Sequence, residues 1–213
     1  MFDPDPVPPC SPTRRRLLRQ LAVWPALPAL GAAAALYSQD TKAQTTGTTA
    51  DFWALAREGG NVFLMRHATT EPGIGDPPNF TLGNCATQRN LSEAGRAESR
   101  RVGERFRAEN VSLDSVRTSA WCRCVDTAQE AFGRHEVWAP INSFFEDRST
   151  ADAQTAQVLA GLRQRPARHN WMLVTHQVNV SALTGSFTAM GEILLTRAGP
   201  DPARLQVLAR WRP

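Results

Sequence analysis

Short apolar runs alternate along this chain with longer stretches in which apolar residues recur at helical spacing. The runs 62–65 and 171–176 are too short for helices and suit buried strands, because each has four successive apolar residues. Four more strands are predicted at 114–119 ("DSVRTS"), 141–145, 192–197 ("EILLTR") and 205–211 ("LQVLARW"). The last two of these strands close the chain.

Helices are predicted between the strands. Ser92 suits the N-cap of a helix that runs to about Glu109. A second helix from about Ala120 carries one apolar stripe, formed by Trp121, Val125, Ala128 and Phe132. Two more are expected at about 151–162 and near 180. Strands that alternate with helices in this way predict a layered α/β domain with a largely parallel sheet.

Charged and imidazole side chains follow the predicted strands where each strand ends. Arg66 and His67 follow the first strand, Arg123 lies in the first turn of the helix after the second, and His176 ends the long apolar strand. Ligands of α/β sheets bind at the carboxyl ends of strands. Two arginines, two histidines and a helix N-terminus suit a doubly charged anion, and a histidine can attack phosphorus. We therefore predict that a bound phosphoryl group supplies the negative charge that pairs with Arg66.

Residues 69–90 form a long predicted loop after the first strand, rich in glycine and proline. A loop of this length inside a compact domain is uncommon unless it has a function. Within it, Arg89 is the residue we favour as a further contact to the substrate.

The first 43 residues are typical of an export signal. Residues 13–19 ("TRRRLLR") match the twin-arginine pattern, an alanine-rich apolar stretch interrupted by prolines follows, and small residues precede a cleavage site after Ala43. We expect a twin-arginine-type signal at 1–43, a polar linker at 44–50, a catalytic domain at 51–213 and a periplasmic location. An uncleaved membrane anchor is the alternative.

Composition excludes several kinds of chemistry. Residues 44–213 hold 19 basic and 17 acidic side chains, a net charge too small to indicate binding to nucleic acid or to a membrane surface. The single lysine is Lys42 and the single tyrosine is Tyr37, both in the predicted signal. The domain therefore has no lysine for a nucleotide-binding loop or a Schiff base, and no tyrosine nucleophile.

Four segments, in order, resemble the motifs of the histidine phosphatase (phosphoglycerate mutase-like) superfamily. They are "LMRHATT", "RNLSEAGRAES", "VRTSAWCRCVDTA" and "LVTHQVNVSALTG". The variants "NCATQRNLS" and "WCRC" are similar to exported bacterial members related to lipopolysaccharide core heptose phosphatases. The resemblance implies a three-layer α/β/α sandwich with a mostly parallel central sheet.

The resemblance also implies roles for individual residues. His67 would be the nucleophile that becomes phosphohistidine, while Arg66, Arg123 and His176 would hold the phosphoryl oxygens. No metal ion or other cofactor is implied. Gln177 stands where one branch of the superfamily carries an aspartic acid as proton donor. The other branch uses a glutamate, for which Glu146 is the nearest candidate and Asp147 the second.

Three cysteines lie close to these motifs: Cys85 in the long loop, and Cys122 and Cys124 on either side of Arg123. A structural zinc site needs four well-spaced ligands, and these cysteines supply three. In an oxidising periplasm we expect a disulfide from Cys85 to either Cys122 or Cys124.

Together these observations predict an exported phosphohydrolase that cleaves phosphomonoesters, among them sugar or lipopolysaccharide phosphates suggested by the family resemblance. Its partners would be small phosphorylated molecules, and it would meet a membrane only through the export signal. The alternatives are a phosphomutase of the same fold and a non-catalytic protein that binds phosphorylated glycans.

Overall fold

The computed structural model describes residues 49–213, which form a six-stranded sheet with helices on both faces. The strands are β1 Val62–Arg66, β2 Ser115–Thr118, β3 Glu136–Val137, β4 Trp171–Thr175, β5 Ile193–Ala198 and β6 Leu205–Trp211. The helices are α1 Thr49–Glu58, α2 Glu93–Ala108, α3 Cys122–Phe132, α4 Ala151–Arg163 and α5 Gln177–Thr184. The predicted export signal and residues 44–48 of the predicted linker lie outside the described residues. No helix within 49–213 is long and apolar enough to span a membrane.

The sheet is parallel in one part and antiparallel in the other. Its strand order is β3-β2-β4-β1-β5-β6, and the first four strands run parallel to one another. The closing strands β5 and β6 are antiparallel to their neighbours. The predicted α/β class is confirmed, and the parallel part contains all three strands that carry the predicted site.

The two faces of β1 show why the domain has three layers. Side chains alternate across a strand, so Phe63 and Met65 pack with α1, α2 and α3, while Val62 and Leu64 pack with α4 and α5. All four side chains are buried. A strand covered on both faces needs apolar residues at successive positions, as the sequence of β1 has.

One expectation about local structure was wrong, and one helix was not predicted. The strand expected at 141–145 is absent, because a 3₁₀ helix at Ala139–Ile141 turns the chain and buries Ile141 instead. The third strand is the two-residue β3, which lies just before it. Helix α1 was not predicted, and it begins at Thr49, inside the segment expected to be a linker.

Helix α2 packs closely on the start of the long loop that follows β1. Ser92 caps the helix as predicted, since its hydroxyl accepts a hydrogen bond from the Gly95 amide. The Ser92 amide donates to the carbonyl oxygen of Thr69, two residues after His67. A Cβ atom at Gly95 would lie 1.9 Å from that oxygen, so glycine is needed for this approach.

Gly95→Ala is therefore expected to destabilise the domain by about 1–3 kcal/mol, although alanine is the better helix former. The added methyl group must push Thr69 and the helix apart. Chemical denaturation measures the free energy of unfolding. Arg101→Ala, on the exposed side of the same helix, serves as the control and should change stability little; equal stability of Gly95→Ala and wild type would contradict the close packing.

Candidate active site

Three neighbouring parallel strands end at one edge of the sheet and bring the predicted residues together. The His67 amide donates to the Thr175 carbonyl oxygen at the end of β4, and the Ser119 amide donates to the carbonyl oxygen of Val174. The rings of His67 and His176 consequently lie edge to face, with their centroids 5.6 Å apart. This contact is the centre of the candidate site.

His67 is buried and held in one tautomer. Its Nδ1–H donates to the carbonyl oxygen of Ala68 at 2.9 Å, and the Ala68 amide is fixed in turn by the hydroxyl of Thr127. Nε2 therefore carries the lone pair, and it makes no hydrogen bond with residues 49–213. Burial, and next the charge of Arg123, lower the pKa of His67 to about 3. The imidazole is neutral at pH 7.

His176 lies opposite, at the N-cap of α5. Its Nε2 shares a hydrogen bond of 2.8 Å with the Ser119 hydroxyl, and the Cys124 sulfur is 3.5 Å from the same nitrogen. Burial is the main cause that holds the pKa of His176 well below its ordinary value, and His67 adds to it. Both histidines are therefore neutral at the pH where the arginines around them are charged.

Arg66 is anchored by the loop that precedes β5. Its Nη1 donates to the Thr188 carbonyl oxygen at 2.9 Å, while its Nε is buried without a hydrogen-bond partner among the described residues. The Thr188 amide and hydroxyl both donate to the side-chain oxygen of Gln177. Gln177, which the sequence marked only as a missing acid, thus positions the residue that holds Arg66.

Arg123 forms a buried ion pair with Asp76 of the long loop. Arg123 Nη1 and Nη2 donate to the two carboxylate oxygens at 2.7 and 3.1 Å, and the two side chains are only 5% and 4% exposed. The Trp121 indole and the Arg89 amide also donate to this carboxylate. Burial alone would raise the pKa of Asp76, but these hydrogen bonds, first that of Arg123, hold it below its ordinary value. Asp76 is ionised.

The prediction that a phosphoryl group supplies the negative charge at this edge of the sheet was therefore incomplete. A phosphoryl group was expected to supply it, whereas for Arg123 the chain itself supplies Asp76. Sequence reasoning missed Asp76 because it stands among glycines and prolines, outside every motif. The available signal was the general need of a buried arginine for an acidic partner.

Arg89, predicted as a contact to the substrate, braces the loop. Its Nε donates to the Gly75 carbonyl oxygen, and its Nη1 donates to the Thr70 hydroxyl and the Gly73 carbonyl oxygen. Its charge still acts on the site, because Arg89 is one of the groups that lower the pKa of His67.

A disulfide joins Cys85 to Cys122 and leaves Cys124 buried and free. The sequence left both partners open, and the fold decides between them because Cys122 begins α3 beside the loop while Cys124 points into the core toward Thr175. Burial raises the pKa of the Cys124 thiol to about 12, so it stays protonated. The disulfide ties the loop to the helix turn that carries Arg123.

The two candidate proton donors lie in the loop before α4. Asp147 caps the 3₁₀ helix Arg148–Thr150 by accepting hydrogen bonds from the Ser149 amide and hydroxyl, which lower its pKa. Glu146 is exposed, and its side chain makes no hydrogen bond or ion pair with residues 49–213. The structure does not bring either carboxylate into contact with His67.

Cations dominate the site. Among the described residues there is no cluster of three histidine, cysteine, aspartate or glutamate side chains that could hold a metal ion. The groups around His67 are instead guanidinium donors, which bind the oxygens of phosphate. The arrangement offers a neutral nucleophile surrounded by fixed positive charge.

Comparison with known proteins agrees with this description. Residues 62–146 match the model of the histidine phosphatase superfamily, branch 1. The fold is also that of the protein histidine phosphatase SixA complexed with tungstate, at 15% identity and a TM-score of 0.52, over 72% of this chain and 97% of that chain. The alpha-ribazole phosphatase of Shigella flexneri (15%, 0.51, 70% and 95%) and Bacillus stearothermophilus YhfR (14%, 0.52, 70% and 95%) share it too. No curated protein matches. Over residues 62–146 the chain is therefore similar to the histidine phosphatase superfamily.

The low pKa of His67 predicts how stability depends on pH. The unfolded state binds a proton at an ordinary pKa of about 6.5 and the folded state does not until about pH 3, so acidification favours unfolding in this range. His67 should remove about 1.4 kcal/mol of unfolding free energy for each pH unit between these values. In denaturant titrations at pH 7 and pH 5, His67→Asn should lose less stability than the wild type. Identical losses would contradict a neutral His67.

Proposed function

We propose that this protein is a phosphatase that hydrolyses phosphomonoesters through a phosphohistidine at His67. The observation that carries the proposal is the state of His67: a neutral imidazole with a free Nε2, placed beside Arg66 and Arg123. An imidazole is nucleophilic only when neutral, and the arginines that keep it neutral are also donors for phosphoryl oxygens.

The proposed reaction has two steps. The lone pair of His67 Nε2 attacks phosphorus, the N–P bond forms, and the P–O bond to the leaving group breaks with the electron pair going to oxygen. Water then attacks the phosphohistidine, which releases phosphate and restores the free imidazole. Arg66, Arg123 and His176 stabilise the charge that the phosphoryl oxygens carry in both transition states.

The leaving oxygen needs a proton when the leaving group is an alkyl alcohol. We propose Glu146 as the donor. Asp147 is less suited, because its carboxylate is ionised and already engaged with Ser149. Glu146 is unpaired among the described residues and so remains free to approach a bound substrate.

The substrate class and the location of the protein are further parts of this proposal. The similarity of "NCATQRNLS" and "WCRC" to exported heptose phosphatases favours a sugar phosphate or a lipopolysaccharide phosphate. The twin-arginine pattern favours the periplasm, and a disulfide is stable in such an oxidising compartment. No interaction with nucleic acid is part of the proposal, and a membrane is involved only through the export signal.

His67→Ala is expected to abolish hydrolysis of nitrophenyl phosphate, because it removes the proposed nucleophile. The wild type, mixed rapidly with substrate in buffer containing EDTA and quenched in base, should carry acid-labile phosphate on the histidine. The variant should carry none. His135→Ala, which changes an exposed histidine, serves as the control and should keep both properties. Ordinary turnover by His67→Ala would show that the nucleophile is another residue.

Glu146→Gln should separate substrates by their leaving groups. Hydrolysis of alkyl or sugar phosphates should slow by about 10²- to 10⁴-fold, the usual contribution of a general acid, because the glutamine cannot donate the proton. Nitrophenyl phosphate should be spared, since nitrophenolate leaves without a proton.

Asp147→Asn is the matched control and should show no such dependence on the leaving group. Equal loss on both substrates in Glu146→Gln would mean that Glu146 positions the site. No loss on either would assign the proton to another group.

A further inference from the structure

Asp76 does not use all the hydrogen-bond donors of Arg123. A guanidinium has five N–H donors in one plane. Asp76 takes one from Nη1 and one from Nη2, and the second Nη1 donor reaches the Arg89 carbonyl oxygen at 3.4 Å. The donors left are Nε–H and one Nη2–H, which share one edge of the plane. Nε is buried and has no hydrogen-bond partner among the described residues.

This remaining edge has the geometry that binds phosphate. Arginine and phosphate commonly pair through two parallel N–H···O bonds along one edge of the guanidinium. An oxyanion and Asp76 can therefore bind Arg123 at the same time, on different edges. The carboxylate does not have to leave when a phosphoryl group enters.

The charges of the site agree with this arrangement. Three guanidinium groups surround His67, those of Arg66, Arg89 and Arg123, and each acts on its pKa. Asp76 subtracts one charge and the neutral histidines add none, so the site carries a net charge of +2. A phosphomonoester above its second pKa of about 6 carries the matching charge of −2.

We propose that Asp76 is a positioning residue: it holds one edge of the Arg123 guanidinium and thereby directs the Nε–Nη2 edge at the phosphoryl group. The proposal rests on the phosphatase function proposed above. A bound oxyanion can itself orient a loose guanidinium, whereas a short-lived transition state needs donors that are fixed beforehand. Loss of Asp76 should therefore harm turnover more than binding.

A crystal structure of the wild type with tungstate tests the geometry without depending on turnover. Tungstate oxygens are expected within hydrogen-bond distance of Arg123 Nε and Nη2, with the ion pair to Asp76 intact. Tungstate on the Nη1–Nη2 edge, with Asp76 displaced, would show that Asp76 is an obstacle to ligands. Tungstate bound away from Arg123 would overturn the proposal as well.

Kinetics of Asp76→Asn test the consequence. With nitrophenyl phosphate, kcat should fall by about ten- to a hundredfold, the cost of a misplaced donor, while the tungstate affinity measured by calorimetry stays equal or becomes tighter. In the Arg123→Ala background, Asp76→Asn should cause no further loss of kcat. Glu71→Gln removes an exposed acid from the same loop and should leave both quantities unchanged.

Other outcomes contradict the proposal. An unchanged or higher kcat in Asp76→Asn would assign Asp76 a blocking role. Parallel losses of kcat, tungstate affinity and melting temperature, persisting in the Arg123→Ala background, would mean that Asp76 only folds the loop. Absence of hydrolysis by the wild type would instead reject the phosphatase function, and the tungstate structure would still report on Asp76.

Discussion

Arg123 carries a positive charge where its side chain is almost sealed from water, and a charge so placed is tolerated only if an opposite charge and hydrogen bonds meet it. Asp76 meets it, so the loop after β1 has to fold back over the edge of the sheet. Two further hydrogen bonds hold the loop in this position. The Trp121 indole donates to the Asp76 carboxylate, and Arg89 Nε donates to the carbonyl oxygen of Gly75. The organisation of the edge thus depends on one buried ion pair.

The same low-polarity environment keeps His67 neutral. Desolvation disfavours the charged form of an imidazole, and neighbouring guanidinium groups disfavour it further. A histidine in this position stays neutral without a carboxylate partner, and its tautomer is set by a backbone carbonyl, that of Ala68. In the proposed mechanism, cationic donors therefore have two roles: they keep the His67 imidazole neutral, and they bind the phosphoryl group that it attacks.

The loop is fixed at two points that depend on different physical forces. The ion pair between Asp76 and Arg123 is electrostatic, and protonation of Asp76 would weaken it. The disulfide between Cys85 and Cys122 is a covalent cross-link, and whether it forms depends on redox conditions. Both attach to the first turn of α3, which contains Cys122 and Arg123. The disulfide and the ion pair thus connect the loop to neighbouring residues, Cys122 and Arg123.

Local patterns predicted every strand except the two-residue β3, most helices, and the motif residues Arg66, His67 and His176 at the strand ends. Strands such as β1 can be predicted from the sequence because a strand covered on both faces must be apolar throughout. The N-cap at Ser92 can be predicted because capping depends on residues close in sequence. Helix α1 and the turn at 139–141 were missed because their apolar residues are buried by contacts distant in sequence.

The sequence by itself determined the class of site, since parallel strands place Arg66, His67 and His176 at one edge whatever the loops do. Only the tertiary structure decided which acidic residue forms the ion pair with Arg123 and which cysteine pairs with Cys85. Asp76 lies 47 residues before Arg123. The loop that brings Asp76 close to this arginine has no periodic sequence pattern. A local sequence pattern does not reveal an ion pair between residues so far apart in the chain, because the pair forms only when the folded loop brings the two side chains together.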